Sequence, residues 1–418
     1  MALTRDAVLT KRDSATERTV AGELKAGWRV VQFGDVVSNV DVSERQPLEQ
    51  GLERFVGLDH LDPESLHIKR WGLIEEGTSF TRKFVSGQVL FGKRRAYQRK
   101  AAVAEFDGIC SGDILVFEPK GDELLPELLP FIVQSDGFFE HALGTSAGSL
   151  SPRTKWSDLA RYEFALPPKD EQRRIADILW AADKSCQSRE QVVSELLVVQ
   201  QLTIDKLFSV EKSQTCVAFR DVCEMQNGRP FPSDEYRNDG VKLLRPGNLG
   251  IGGYFDWKGS STKYLPNDYL QTASDYVVTE KDVVINLTAQ SLEDGFMGRV
   301  CIAREGDTSL LNQRIGRFRC SERVLPEYLF RCLQTTAFRK LVETKCEGSK
   351  VKHLYWRHME CFEFALPPKD KQLRLIDAAE STDVALRNAK MSLEDSRRLN
   401  KALINTLLPS NLDTANVQ

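Results

Sequence analysis

Positively charged side chains are concentrated in one segment of the first half of the chain. Between Gly77 and Ala104 there are seven Lys and Arg residues and no Asp or Glu. Lys and Arg neutralise backbone phosphates, whereas Arg, Gln and Tyr reach base edges or stack on bases. The alternative is a solvated charged face, but the lack of compensating acids favours nucleic-acid contact. The candidate contact residues are Lys93, Arg94, Arg95, Tyr97, Gln98, Arg99 and Lys100.

Smaller sets of the same residue types occur further along the chain. In the first half, Arg153 and Lys155 form a second basic cluster. In the second half the candidates are Asn286, Thr288, Gln290, Ser291, Gln313, Arg314, Lys350 and Lys352. We predict that these residues also contact nucleic acid. The formal net charge of −3 neither requires nor excludes an anionic partner, because local charge matters more than the total.

Motifs for nucleotide or cofactor binding are incomplete. The stretch from Gly87 to Arg94 has the glycine and lysine spacing of a phosphate-binding loop, but its inner Val, Leu and Phe suit a strand. Arg94 also stands where Ser or Thr would hold magnesium. The two Pro-Pro pairs lack the flanking residues of the amino-methyltransferase tetrapeptide, and no glycine-rich cofactor motif accompanies them. We therefore predict no cofactor site in this chain.

Catalytic and metal sites are not indicated either. Asp107, Glu118 and Lys120 are residue types of a metal-dependent nuclease, but Pro119 would interrupt that strand and the second half does not repeat the set. The nine cysteines form no Cys-x-x-Cys pair and the five histidines are scattered. We expect reduced core cysteines rather than zinc ligands. The chain is predicted not to be an enzyme by itself.

The composition is that of a globular chain with room for two or three domains, since 41% of its 418 residues are hydrophobic and 28% are charged. No run of about 18 apolar residues is present, so we expect no membrane span. Residues 1–27 form a polar N-terminal segment without the apolar core of a signal peptide. The expected location is the cytoplasm.

An internal repeat organises the elements that must position these residues. The octapeptide Glu163–Asp170 recurs letter for letter as Glu363–Asp370. Upstream, the segments that begin at Phe33 and Phe219 are also alike, whereas the sequences between these matches share little. Two copies of one frame therefore hold two different inserts. At the offset of the octapeptide, further pairs match: Gly148-Ser149 with Gly348-Ser349, Trp156 with Trp356, and Gln172 with Gln372.

The segment after each Pro-Pro pair is predicted to be a long helix, over residues 169–212 and 369–410. Apolar residues recur there at spacings of three and four, with charged residues between them. Neither helix can bury its stripe alone, so we predict that the two form a coiled coil; two separate core helices are the alternative. The stripe contains Ile175, Ile178, Leu179, Leu196 and Leu207, and Leu375, Ile376, Leu393, Leu403 and Leu407.

The two inserts are predicted to be α+β globular domains over residues 28–168 and 213–368. Short apolar runs bounded by turn residues, such as Asp113–Phe117 and Asp282–Ile285, are typical of strands. Helices are expected at Leu124–Ser135 and Pro326–Leu341. A tail of residues 411–418 follows the second long helix.

Two variable domains, each closed by a Leu-Pro-Pro segment that leads into a long helix, resemble the specificity subunit of type I restriction–modification enzymes. The residues that carry the resemblance are Ala165–Ala176 and Ala365–Ile376, supported by the Gly-Ser and Trp repeats. The second copy departs from the pattern at Lys371, where Glu is usual. The resemblance covers nearly the whole chain, from about Trp28 to Leu408.

The resemblance implies a fold of two target recognition domains in a pseudo-two-fold repeat, separated by two long helices in an antiparallel coiled coil. Each domain would read one half of a split, asymmetric site in double-stranded DNA. Two methyltransferase subunits would dock on the frame and supply S-adenosylmethionine, and restriction subunits would add ATP- and Mg-dependent translocation and cleavage. A duplicated frame independently suits two identical partners. No cofactor would be bound by this chain.

Three other classes of function remain as alternatives. A catalytic methyltransferase or nuclease would need the missing motifs. A pure coiled-coil scaffold would not need the unbalanced basic run. A specificity subunit of a related methylating nuclease, or of another phage-defence methyltransferase complex, fits the same sequence features.

Overall fold

The computed structural model describes residues 24–148, 151–210, 215–257, 262–293 and 295–409. Most of the predicted N-terminal segment, the predicted tail and Ser149 lie outside these residues. The chain divides into two compact units. Unit 1 comprises Met1–Ser188 and Leu393–Gln418, and unit 2 comprises Arg189–Ser392. Each unit holds one insert and parts of both long helices, and each mixes helices with sheets, so the predicted α+β fold class is confirmed.

The described residues of unit 1 form two four-stranded sheets and one two-stranded sheet. The first sheet has the order β2-β9-β6-β7 and is antiparallel throughout, the second has the order β4-β3-β8-β5 with β3 and β8 parallel, and β1 pairs with β10. The strands are β1 Arg29–Gln32, β2 Val37–Asn39, β3 Arg54–Val56, β4 Gly72–Leu73, β5 Arg82–Phe84, β6 Val89–Gly92, β7 Ala101–Val103, β8 Gly108–Cys110, β9 Ile114–Pro119 and β10 Glu163–Leu166. The helices are α1 Phe33–Val36, α2 Leu129–Gln134, α3 Asp136–Gly144, α4 Trp156–Leu159 and the long α5 Lys169–Phe208, whose second half belongs to unit 2.

Unit 2 repeats this plan with different loops. Its sheets have the orders β12-β20-β16-β18 and β14-β13-β19-β15, and two further pairs join β11 to β22 and β17 to β21. The strands are β11 Cys216–Ala218, β12 Cys223–Asn227, β13 Val241–Leu244, β14 Lys263–Leu265, β15 Val277–Val278, β16 Val283–Asn286, β17 Thr288–Ala289, β18 Val300–Ile302, β19 Ser309–Leu311, β20 Ile315–Cys320, β21 Lys352–His353 and β22 Glu363–Ala365. The helices are α6 Tyr269–Thr272, α7 Pro326–Cys332, α8 Thr336–Lys345, α9 Trp356–Met359 and the long α10 Lys369–Leu407. None of these described helices is long and apolar enough to span a membrane.

The repeated aromatic residues form the core of each unit. In unit 1, the ring of Phe33 lies 5.4 Å from that of Phe117 and 6.0 Å from that of Trp156. In unit 2, Phe219 lies 5.1 Å from Trp356 in the same way. Aromatic residues bury the largest apolar area per side chain. The Phe and Trp positions shared by the two halves are therefore packing positions of the frame.

The predicted short helices are wrong in extent. The expected helix at Leu124–Ser135 is limited to α2 and is followed by α3, which the sequence did not predict; the expected helix at Pro326–Leu341 is divided into α7 and α8. The break falls at Ser135 and Thr335, whose backbones are extended and whose hydroxyl oxygens accept hydrogen bonds from backbone N–H groups three residues later. Such N-cap residues start a new helix.

The long helices run antiparallel within each unit. In unit 1, Ile175 near the start of α5 shares a core with Ile404 near the end of α10. In unit 2, Gln200 near the end of α5 donates a hydrogen bond to Asp383 in the first half of α10. A second contact lies nearer the middle of both helices: Sγ of Cys186 is 3.3 Å from Oγ of Ser396 in unit 1, and Nη1 of Arg189 donates to Oγ of Ser392 at 2.8 Å in unit 2. In both units a later position in α5 meets an earlier position in α10, so the predicted antiparallel pairing is confirmed.

The contact between the two helices is less apolar than the predicted stripe. Of the predicted stripe residues, Ile175, Leu179 and Leu393 are buried. The others are half-buried: Ile178, Leu196, Leu207, Leu375, Ile376, Leu403 and Leu407. Four polar side chains, which the sequence did not indicate as core, are buried along the same helices: Gln172, Asp183, Gln372 and Asp383. These polar groups join the helices to the inserts.

Candidate nucleic-acid interface

Three segments of unit 1 meet at one end of strands β6 and β9, and most of the predicted contact residues of the first half lie on them. The segments are residues 93–100, 111–113 and 147–154, of which 149–150 are outside the described part. The backbone N–H of Lys93 donates to the carbonyl of Asp113 at 3.0 Å, and that of Thr154 donates to the carbonyl of Lys93 at 3.0 Å. The N–H of Arg95 donates to the carbonyl of Pro152 at 2.8 Å. We call this surface the first platform.

Unit 2 builds the same arrangement from segments 287–298, 312–314 and 347–354, of which residue 294 is outside the described part. The N–H of Leu287 donates to the carbonyl of Arg314 at 2.9 Å, and that of Leu354 donates to the carbonyl of Leu287 at 2.9 Å. Strands β17 and β21 pair beside them, with Thr288 opposite His353. We call this surface the second platform. By these bonds Lys93 corresponds to Leu287, Asp113 to Arg314 and Thr154 to Leu354.

The repeated glycine of the Gly-Ser pair shapes a turn on each platform. Ala147 and Arg153 exchange two backbone hydrogen bonds, as do Glu347 and His353. Between them Gly148 has φ +115° and Gly348 has φ +110°, in the region that favours glycine. A Cβ atom at Gly348 would also clash with the carbonyl oxygen of Val351. This glycine is therefore repeated because the turn requires it.

The first platform contains an acid that the sequence placed outside the basic run. Asp113 accepts hydrogen bonds from Nε of Arg153 at 2.9 Å and from Nη1 of Arg94 at 3.4 Å. Hydrogen bonding from Arg153, together with the charge of both arginines, lowers the pKa of this carboxyl below its usual range despite its partial burial. The expectation that the basic run lacks compensating acids is therefore wrong for the folded chain, because Asp113 pairs with Arg94 of that run.

Arg99 and Lys100 have partners inside the protein. Arg99 forms ion pairs with Glu64 at 3.0 Å and Asp136 at 2.7 Å, and its guanidinium lies 4.5 Å from the ring centre of Phe139. Nζ of Lys100 donates to the carbonyl of Leu58 at 2.6 Å. These contacts give both side chains a structural role, which weakens their prediction as nucleic-acid contacts.

The remaining predicted residues of the first half are accessible. Tyr97 is 56% exposed and Lys155 is exposed, while Lys93, Arg95 and Gln98 are half-buried. Within the described part of the chain, Lys93, Arg95 and Lys155 form no ion pair. Tyr97 and Gln98 line an open pocket of about 560 Å³ together with Arg70 and Asp62. This side of unit 1 can offer cations, an aromatic ring and an amide to a polyanion.

The second platform brings together residues that are far apart in sequence. Thr288, Gln290 and Arg314 line one open pocket of about 350 Å³. Gln313, Arg314 and Lys350 are exposed, and Lys352 and Ser291 are half-buried. Arg314 forms no ion pair with the residues that the structure describes. Its charge is therefore available to a ligand, unlike that of Arg94.

Asn286 is not available for contact. It is fully buried, and its Nδ2 donates to the carbonyls of Thr288 and Phe296 at 2.8 Å each. Its prediction as a nucleic-acid contact is wrong, because these bonds commit the amide to fixing the loop. Its burial at the end of strand β16 was not visible in the sequence.

Asp113 is the site residue that sequence reasoning missed. It lies directly before strand β9, well after the basic run, and the sequence indicated it only as part of a strand. One signal could have found it: a lone acid next to a strand that must pair with the strand before Lys93. Among the described residues, no three His, Cys, Asp or Glu side chains are grouped as metal ligands.

Known proteins resemble this chain over most of its length. The family model described as "Type I restriction modification DNA specificity domain" matches residues 70–197 and 214–388, once in each half. The type I restriction enzyme MjaVIII specificity subunit of Methanocaldococcus jannaschii is 23% identical over 426 aligned positions, which cover 93% of this chain and 94% of the relative.

Two solved structures have the same fold. One concerns complex assembly and conformational transition of the type I R-M system; it superposes with a TM-score of 0.58 at 17% identity and covers 92% of this chain and 98% of its own. The other is the S subunit of a type I restriction–modification system from M. genitalium, with a TM-score of 0.51, 14% identity, and coverage of 93% and 98%.

Proposed function

We propose a function from one premise: the chain belongs to the type I restriction modification DNA specificity family, with one match in each half. It is the DNA-recognition subunit of a type I restriction–modification complex. Each unit reads one half of a bipartite, asymmetric site in double-stranded DNA. The two long helices connect the units and set the spacing of the half-sites.

One observation carries this proposal. The two platforms have the same backbone hydrogen bonds but different side chains, with Lys93 and Asp113 in one and Leu287 and Arg314 in the other. Two like frames that present different polar groups are suited to two different half-sites. Further residues of the types that read bases or bind phosphates lie in each unit. They are Tyr97, Gln98 and Lys155 in unit 1, and Gln290 and Gln313 in unit 2.

The chain itself performs no chemistry in this proposal. Adenine methylation, with S-adenosylmethionine, belongs to two methyltransferase subunits that dock on the repeated frame. ATP-driven translocation and Mg-dependent cleavage belong to restriction subunits. The frame offers two equal docking places because the helix starts at Lys169 and Lys369 are repeated in sequence and structure. The complex would work in the cytoplasm, where the DNA is.

The experiment is to map methylated adenines after expressing the chain with the methyltransferase subunit of its own system. We expect one asymmetric motif of two half-sites separated by a fixed gap. Methylation without any motif, or methylation of DNA by the chain alone, would contradict the proposal.

A second measurement addresses the basic surface. Replacing Lys93 and Arg95 with Ala should weaken DNA binding and reduce the salt dependence of log K by about 0.9 for each phosphate that is no longer neutralised. The matched control is Lys69→Ala with Lys83→Ala, cations of the same unit outside the platform. An unchanged salt slope in the platform variant would show that Lys93 and Arg95 are merely solvated.

A further inference from the structure

The arginine pair of the first platform is held by a single carboxylate. Oδ1 of Asp113 accepts from Nε of Arg153 at 2.9 Å, and Oδ2 lies 3.4 Å from Nη2 of the same side chain. The Arg153 side chain remains 50% exposed, whereas that of Asp113 is 21% exposed. The carboxylate is therefore partly enclosed, and the guanidinium that it holds faces outward.

The two arginines differ in what they can still bind. A guanidinium has five N–H donors in one plane, arranged as two edges. Asp113 occupies the edge formed by Nε and Nη2 of Arg153, and Nη1 has no partner among the described residues. In Arg94, by contrast, Nη1 bonds to Asp113 and Nη2 donates to Oγ of Ser151 at 3.1 Å, while Nε is buried. Of these two arginines, only Arg153 keeps an edge that the described residues leave unoccupied.

The unoccupied edge matches a particular base. Two parallel N–H groups of an arginine are complementary to O6 and N7 of guanine in the major groove, the commonest specific arginine–base contact. The backbone of Arg153 is also fixed, since its N–H and carbonyl both bond to Ala147 and it pairs with Arg94. A side chain held at both ends loses less conformational freedom on binding than a mobile one.

We propose that Arg153 reads a guanine in the half-site of unit 1 and that Asp113 is a positioning residue that orients it. This inference rests on the proposed function. The second platform cannot do the same, because Arg314 occupies the position of Asp113 and His353 that of Arg153. The two half-sites should therefore differ at the base that faces this position.

The test uses the full chain with its methyltransferase subunit and maps methylated adenines for each variant. Arg153→Lys keeps the charge but removes the two-point contact. We expect it to lose about ten- to hundredfold discrimination at one guanine of one half-site, with all other positions unchanged. Asp113→Asn should relax the same position by a smaller factor, about threefold, and Asp113→Glu should restore part of it. Lys120→Gln, which removes an exposed cation at the opposite end of strand β9 from Asp113, is the matched control and should leave every position unchanged.

The outcomes separate the two proposals. If Arg153→Lys lowers methylation of all sites alike and keeps the motif, Arg153 contacts phosphate and the inference is wrong. If Arg153→Lys relaxes the guanine but Asp113→Asn leaves it intact, the positioning role of Asp113 is wrong. If the unaltered chain yields no bipartite motif, the proposed function fails and this inference fails with it. Thermal unfolding of each variant identifies any that do not fold, and Arg153→Gln then replaces Arg153→Lys.

Discussion

The two units attach the long helices to their inserts by the same contact at one point and by chemically different contacts at another. At the helix start, Gln172 of unit 1 donates to the carbonyls of Glu123 and Pro167 and accepts from the N–H of Leu125. Gln372 makes the equivalent three bonds in unit 2. About two turns further on, the contacts diverge.

In unit 1 the second contact is aromatic. The ring of Phe131 meets that of Trp180 edge to face at 5.0 Å. In unit 2 the corresponding positions hold Arg331 and Glu380, which form an ion pair at 3.4 Å. Beside them, Asp183 bonds to His67 in unit 1, and its counterpart Asp383 bonds to Arg331 in unit 2.

This difference shows which contacts the frame requires. The bonds of Gln172 and Gln372 satisfy backbone groups that any insert must present, so the residue is repeated. The Phe131–Trp180 and Arg331–Glu380 contacts each join one side chain to another, so an aromatic pair and an ion pair can replace each other. The two inserts could therefore diverge without changing how each begins and ends.

The largest effect is expected at the ion pair of unit 2. Arg331 and Asp383 are both 3% exposed, and their Nη2 and Oδ2 atoms are 2.6 Å apart. Arg331→Met leaves a buried carboxylate without its partner and should lower the free energy of unfolding by about 3–5 kcal/mol. Phe131→Met in unit 1 is the matched control and should cost about 1 kcal/mol. Hydrogen exchange of peptides from each unit measures both.

A double variant sharpens this result. Replacing both Arg331 and Asp383 by apolar residues removes both charges and should recover most of the lost stability. Equal destabilisation by the single and double variants would show that shape, rather than an unpaired charge, decides the effect.

The next effect depends on pH and has opposite signs in the two units. Hydrogen bonding to Asp183 raises the pKa of His67 from 6.5 to about 9, against the opposing effect of burial and with help from Glu105. Because the folded pKa is the higher one, this stability is fully present below pH 6.5 and is lost as the pH rises to about 9. The loss in unit 1 is at most about 3 kcal/mol.

Asp383 gives unit 2 the reverse dependence. Burial alone would raise the pKa of this carboxyl, but Arg331, Tyr254 and Gln200 lower it below its usual range. Its contribution is present above about pH 4 and is lost as the pH falls further. Hydrogen exchange from about pH 6 to about pH 9 should weaken protection in unit 1 alone, and His67→Gln should abolish that slope. A slope that survives this substitution would assign the titration to another group.

Removing the side-chain amide that begins each long helix should lower the stability of both units equally. Gln172→Ala and Gln372→Ala each leave one backbone N–H and two carbonyls without their buried partner. We expect a loss of about 1–3 kcal/mol in the unit concerned. Unfolding by urea, followed separately in each unit by hydrogen exchange, compares them. A clear inequality would mean that the shared contact is not equivalent in the two units.

The smallest effect is expected where the end of each long helix caps a short one. Asn405 accepts from the N–H of Asp136 at 3.0 Å, and Asp205 accepts from that of Thr336 at 2.7 Å. Asn405→Ala and Asp205→Ala should each destabilise the capped helix by about 1 kcal/mol. Protection of α3 and α8 against hydrogen exchange provides the measurement. The exposed Glu195, on the same helix as Asp205, offers a control: Glu195→Ala should leave the protection of both short helices unchanged.

Much of the frame could be predicted because its signals are local. The Pro-Pro pairs mark where the helices begin, and their apolar spacing predicts helices that need a partner. The strands before Lys93 and Leu287 follow from short apolar runs between turn residues. The division at Ser135 and Thr335 was missed because a capping hydroxyl within an apolar stretch resembles an ordinary helix residue.

The candidate site could be predicted only in part. The basic run identified Lys93 and Arg95, but charge in sequence does not show which cations are neutralised. Arg99 finds Glu64 and Asp136 only after the chain has folded.

The sequence by itself determined that this protein is a duplicated frame with two long helices and two unlike inserts, because repeated letters and periodic apolar residues are properties of the chain alone. The tertiary structure decided that the inserts carry equivalent platforms. Insertions of different length hide that equivalence in the sequence, whereas backbone hydrogen bonds restore it. It also decided that Asp113 holds Arg153 while Arg314 forms no ion pair in the described part of the chain, because the energy of a charge depends on its neighbours in space.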